Sequence, residues 1–361
     1  MAGLTGRSAS QTLDRLFNGT KASPSGEGAP VAEGEPSATG LSFADFARAG
    51  EQAFYGGRLA EGEHGVVVAA KPRVTTEGDL PSSGELDRRM RLPTLTNPER
   101  EQAGIQLFQL AGAAKDVVTL KPGQTPPFDK FDTVMLQETG NGTHNIFVVK
   151  QGRDPNKVIV VGGHHDKVDV GEGKIDNWGG ATMMANLYQA MKDEPTDATY
   201  VFAMFSREEE GLVGSQVFAR SLTPEMRSRI RSMVNVDTVG VDGTFSWKNN
   251  STRYLLDLIA RVAKEKKLDL QELYLDGGDA DSSTFKRFTP ATTVFGASNE
   301  TIWDIIHSPN DNMGAFVISH YVNSAKLVLE LLRALDHENP PRVAFLLAPA
   351  SVGGSATLIL I

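Results

Sequence analysis

Val158-Ile159-Val160-Val161-Gly162-Gly163-His164-His165-Asp166 sets four consecutive β-branched residues ahead of two imidazoles and a carboxylate. A continuous apolar run of this kind fits a strand buried on both faces of a parallel sheet. The same character returns at 199–205, at 233–239 and around Val294. Helix-like stretches with apolar residues at three- and four-residue spacing follow or separate these runs, at 181–192, 253–266 and 317–335. Asn97-Pro98 opens another over 98–110. Strands alternating with helices predict an α/β fold, a doubly wound sheet with helices on both faces.

Working outward, the chain of 361 residues can bury one large core. With 40% hydrophobic and 22% charged residues its composition is that of an ordinary globular protein. The formal charge of −9, with no long Lys/Arg run, gives no electrostatic footprint for nucleic acid. There is no cysteine, so any metal must be held by His, Asp and Glu. Residues 1–18 lack the apolar run of a secretory signal, which makes a cytoplasmic location the default expectation. Residues 343–361 are uncharged and mostly apolar, but Pro349, Gly353 and Gly354 interrupt them, so a packed or frayed tail is expected rather than a membrane span. Residues 20–40, rich in Gly, Ser, Pro, Ala and Glu, are expected to be flexible. Phe43, Phe46 and Phe54 suggest a short helix and 65–70 a strand, without defining a domain. The division expected is therefore a flexible or undefined segment at 1–95, a folded domain at 96–337 and a tail at 338–361.

Acidic and imidazole residues follow the strand runs. His164-His165-Asp166 ends the first, Glu208-Glu209-Glu210 follows the second, and Asp237 closes the third. In open α/β sheets, ligand sites form where the carboxyl ends of strands meet, so these clusters point to one site. Taken singly, each has an ordinary reading: Asp176-Asn177 ahead of a helix is a cap, and the glutamate run is a solvated turn. Together with His307 they supply the donors that two neighbouring zinc ions need. Asp176 can bridge the ions through its two oxygens. One ion would take His164 and Asp237, the other Glu209 and His307. Two dications against three carboxylates leave one net positive charge, which favours a bridging hydroxide. Asp166 is placed to accept the second ring proton of His164. Glu208, beside a ligand, is the candidate general acid and base.

Gly162-Gly163-His164-His165-Asp166, Asp176-Asn177-Trp178-Gly179-Gly180, the 208–215 run Glu-Glu-Glu-Gly-Leu-Val-Gly-Ser, Asn235-Val236-Asp237 and His307-Ser308-Pro309-Asn310-Asp311 resemble, in this order, the motifs of the co-catalytic zinc aminopeptidases, which include secreted bacterial leucyl aminopeptidases. The likeness runs from about 97 to 336. It implies the roles given above, a three-layer peptidase domain with a mixed, mostly parallel central sheet, two zinc ions per chain, and a peptide substrate shortened from its N-terminus. Three positions depart from the pattern. Ile306 stands where the family often has tyrosine, Thr238 where methionine is common, and Ser282 where a Ser-Asp-His segment would carry histidine.

Other activities of the same scaffold are a glutaminyl-cyclase-like acyl transfer, carboxypeptidase or dipeptidase hydrolysis, and non-catalytic binding. The full five-ligand set argues against the first, which uses one zinc, and against the last, which loses ligands. Asp276, Asp279 and Asp281 read as a solvated loop, and the three tryptophans as core or as the rim of an apolar pocket.

Overall fold

The computed structural model describes residues 80–340. Among them, nine strands form one sheet: β1 (Val117–Leu120), β2 (Val134–Gly140), β3 (Thr143–Lys150), β4 (Asp154–His164), β5 (Ala198–Phe205), β6 (Ile230–Asp237), β7 (Phe245–Trp247), β8 (Gln271–Leu273) and β9 (Ala291–Phe295). Their order across the sheet is β1-β2-β3-β5-β4-β6-β9-β7-β8. The centre, β5-β4-β6-β9, is parallel. Antiparallel pairs flank it at β3-β5 and β7-β9. The sheet is thus mixed and mostly parallel, as the resemblance implied.

The decisive run lies in β4, where alternate residues serve different cores. Ile159 and Val161 join one apolar cluster, and Val158 and Val160 join the other. That division is the period-2 rule applied to a strand covered on both faces, and it explains why the run is continuously apolar. The helices are α1 (Ser83–Met90), α2 (Asn97–Leu110), α3 (Gly179–Met191), α4 (Val213–Ser221), α5 (Pro224–Arg229), α6 (Arg253–Lys266), α7 (Ser282–Lys286), α8 (Ile302–Ile305) and α9 (Ile318–His337). Leu107 and Phe108 of α2, Met184 and Leu187 of α3, Ile259 of α6 and Val328 of α9 pack on the face of Ile159 and Val161. Phe218 of α4 and Phe285 of α7 pack on the other. Parallel neighbours need crossover connections, and these helices supply them.

Two boundaries differ from the sequence expectation. Helix α2 is capped by Thr96, whose hydroxyl accepts the Glu99 N–H while Glu99 Oε2 accepts the Thr96 N–H at 2.9 Å. Pro98 sits in the first turn, where its missing N–H costs nothing. Upstream of the expected domain start at 96, α1 buries Leu86 and Met90 in the larger apolar cluster, so the folded body includes it. The expected flexible stretch at 20–40, the helix around Phe43, Phe46 and Phe54, the strand at 65–70 and the tail at 343–361 lie outside the described residues. No helix among the described residues is long and apolar enough to cross a membrane.

Candidate metal centre

Three parallel strands end on one edge of the sheet and deliver the site. His164 is the last residue of β4 and Asp237 the last of β6. Glu208 and Glu209 lie on the loop after β5, and His307 on the loop after α8 with φ +54°. Asp176 sits at a non-helical kink within Lys174–Trp178, just ahead of α3, at φ −108° and ψ 96°. The capping task expected for the Asp176-Asn177 pair falls to Asn177. Its Oδ1 accepts the Gly180 N–H at 2.9 Å, and its Nδ2 donates to the Val236 carbonyl of β6 at 2.9 Å. The Asp176 carboxylate is left to face the site.

The two oxygens of Asp176 face opposite ways. Oδ1 is 3.1 Å from His164 Nε2, and Oδ2 is 3.5 Å from His307 Nε2. His164 Nε2 is also 3.7 Å from Asp237 Oδ1, while His307 Nε2 meets Glu209 Oε2 at 2.9 Å. All five residues predicted as ligands therefore converge. Donor atoms of His164, Asp176 and Glu209 lie within 4.8 Å of one another, and so do those of His164, Glu208 and Asp237. The second grouping brings Glu208 closer to the His164 and Asp237 donors than a place beside the ligands alone would require.

Asp166 does something the sequence did not indicate. Its Oδ1 and Oδ2 accept the backbone N–H groups of Glu208 at 3.0 Å and Glu209 at 3.2 Å, fixing the glutamate turn. Toward His164 it is less well aligned: Nδ1 is 3.4 Å from Oδ1 and makes no hydrogen bond. Asn145 of β3 holds the far side of the same loop, accepting the Ser206 N–H at 3.0 Å and donating to the Gly214 carbonyl at 2.9 Å. Thr238, one of the departures, donates its hydroxyl to Asp237 Oδ1 at 3.1 Å. Ile306, another, packs against an apolar cluster beside the site. Ser282 is buried in hydrogen bonds with Asn250 and Thr293.

The electrostatics reflect a crowd of carboxylates. Burial opposes the charged form of His164, yet Glu208 and the carboxylates of Asp166, Asp176 and Asp237 outweigh it and hold its pKa well above the ordinary value. Hydrogen bonds to Asp176 and Glu209 push His307 up to about 10. Burial, reinforced by Asp281, Asp237 and Glu209, drives Glu208 well above the usual carboxylate range despite the opposing pull of His164. The cluster thus attracts positive charge. Glu209 Oε1 and His164 Nδ1 are buried without hydrogen-bond partners. A hard or borderline dication bound by nitrogen and oxygen fits this donor set.

Asp281 corrects the solvated-loop reading. Asp276 and Asp279 are exposed, but Asp281 is buried, and burial raises it to about 7. Both its oxygens lack partners. Trp178 and Trp247 are core, and Trp303 is 45% exposed.

The chain matches Peptidase family M28 over residues 145–341, which contain every residue of this centre. An aminopeptidase of Pseudomonas aeruginosa is 28% identical over 159 residues, covering 44% of this chain and 29% of that protein. The matched stretch spans less than a third of that relative's length. Among solved structures, the Legionella pneumophila LapA aminopeptidase superposes with a TM-score of 0.57 at 17% identity over 71% of each chain. The Porphyromonas gingivalis glutaminyl cyclase gives 0.53 at 13% identity, over 70% of this chain and 96% of that one. These likenesses carry the fold, which hydrolase and cyclase share, while the family match covers the larger part of the sequence, and by it the chain belongs to peptidase family M28.

Proposed function

We propose that the chain is a two-zinc aminopeptidase that hydrolyses N-terminal residues from peptides. The observation that carries this reading is the placement of Asp176, whose two oxygens face His164 at 3.1 Å and His307 at 3.5 Å. One carboxylate thereby stands between two donor sets, His164 with Asp237 and Glu209 with His307. When bound, the two ions would lower the pKa of a water to about 7 and polarise the scissile carbonyl.

The chain's own groups supply the rest. Glu208 takes the proton released by the attacking water and returns it to the amine nitrogen as the C–N bond breaks. Asp166 keeps the glutamate in place through the backbone bonds to the Glu208-Glu209 turn.

The test combines metal analysis with substrate choice. Protein purified without chelator should hold about two zinc equivalents and release chromophore from aminoacyl anilides, but not from N-blocked ones. Equal cleavage of blocked substrates, or cyclisation of N-terminal glutamine without hydrolysis, would overturn the aminopeptidase reading.

A further inference from the structure

We infer that Asp311 is a positioning residue that locks the bridging carboxylate of Asp176 to the loop carrying His307, an inference that rests on the two-zinc reading above. Asp311 is 2% exposed and lies four residues after His307. Its Oδ1 accepts the Ile175 N–H at 2.7 Å, its Oδ2 accepts the Asp176 N–H at 3.2 Å, and its backbone carbonyl accepts the Glu172 N–H at 2.7 Å. Three backbone N–H groups on the approach to Asp176, those of Glu172, Ile175 and Asp176, are thus bound by one residue of the His307 loop.

The close fit extends to backbone packing. Gly171 has φ +74°, and a Cβ there would collide with the Ser308 carbonyl and crowd the Asp311 side chain. The segment is held from its other side by a charge of opposite sign. Arg100, fully buried in α2, donates to the carbonyls of His165, Glu172 and Gly173. Carbonyls face the guanidinium and amides face the carboxylate, so the backbone around Asp176 is fixed in direction as well as position.

The consequences for the two donor sets are unequal. His164 and Asp237 end β4 and β6 and are placed by the sheet itself. His307 lies on a loop, whose link to Asp176 runs through Asp311. Asp176 is common to both ions, but the sheet places the other two ligands of the one held with His164 and Asp237, so loosening that link should weaken the ion held with Glu209 and His307 more. Partners that orient metal ligands are typically worth about 10- to 100-fold in affinity.

The experiment is calorimetric titration of metal-depleted full-length protein with zinc, for the wild type, Asp311→Asn and Asp311→Ala, with thermal unfolding of the metal-free proteins alongside. Asparagine keeps the volume and one acceptor, so it is the deciding variant if the alanine chain does not fold. The first zinc equivalent should bind as in the wild type, the second about 10- to 100-fold more weakly, and the metal-free melting temperature should stay near the wild-type value. Two unchanged equivalents in Asp311→Asn overturn the proposal, as does equal weakening of both accompanied by a fall in metal-free melting temperature, which would mark a general structural staple. A wild-type titration that stops at one equivalent overturns the two-zinc reading itself, and this inference with it.

Discussion

Asp166 holds Glu208 by its backbone: Oδ1 of the aspartate accepts the glutamate N–H at 3.0 Å, with Oδ2 on the next N–H. A carboxylate has two acceptors for two donors, and an amide has only one. Asp166→Asn should therefore free one end of the turn and lower kcat by roughly 10- to 100-fold. Steady-state kinetics with circular dichroism on the same sample decides this, and an unchanged kcat would remove Asp166 from the machinery.

Glu208 and Glu209 are adjacent and chemically identical, yet only Glu209 is hydrogen-bonded to His307. Glu209→Gln should lower zinc content, with activity falling in step. Glu208→Gln should keep zinc while kcat drops by about 10²- to 10⁴-fold with little change in KM. Metal analysis and kinetics on the same preparations separate the two. Loss of zinc from Glu208→Gln with retention in Glu209→Gln would reverse the assignment.

Chelation should abolish activity and lower the melting temperature, because Asp176, Glu208, Glu209 and Asp237 then lose a compensating cation. Zinc at about 100 times its dissociation constant should restore roughly 2.7 kcal/mol for one site binding only the folded state. Scanning calorimetry with and without chelator measures this. A melting temperature indifferent to zinc would contradict binding at this centre.

Gly214 is the second residue of α4, against the glutamate loop, and a Cβ there would collide with the Ser206 carbonyl and Asn145 Oδ1. Gly214→Ala should cost about 1–3 kcal/mol, the usual range for overpacking. Urea denaturation reads it directly. A stability within about 0.5 kcal/mol of wild type would show that the loop yields at little cost.

The β4 run, the strands near it and the five convergent donors were legible because a strand's apolar run and its polar end are both local signals. His164 and Asp237 are strand termini, and Glu209 lies on the loop after β5, which ends at Phe205. The β2-β3 hairpin was also written locally, in Asn141-Gly142, whose φ values of +57° and +72° match a two-residue turn, but the sequence reading did not use it. Arg100, Asp281 and Asp311 were not readable in their roles. Each is a charged residue whose burial depends on chain far away: Arg100 bonds carbonyls more than 60 residues on, and Asp311 bonds amides 135 and 136 residues back. Local sequence carries no signal for such pairings, and a buried arginine and an exposed one look alike there.

The spread of the donors along the chain also sets when the centre can exist. His164 is translated long before His307, and the loop bearing His307 must exist before Asp311 can grip the approach to Asp176. At about 5–20 residues per second, a growing chain spends several seconds with the first donors made and the last one absent. On the proposed reading, a site so distributed is incomplete on the ribosome: a chain halted short of 307 should neither retain its full metal complement nor cleave.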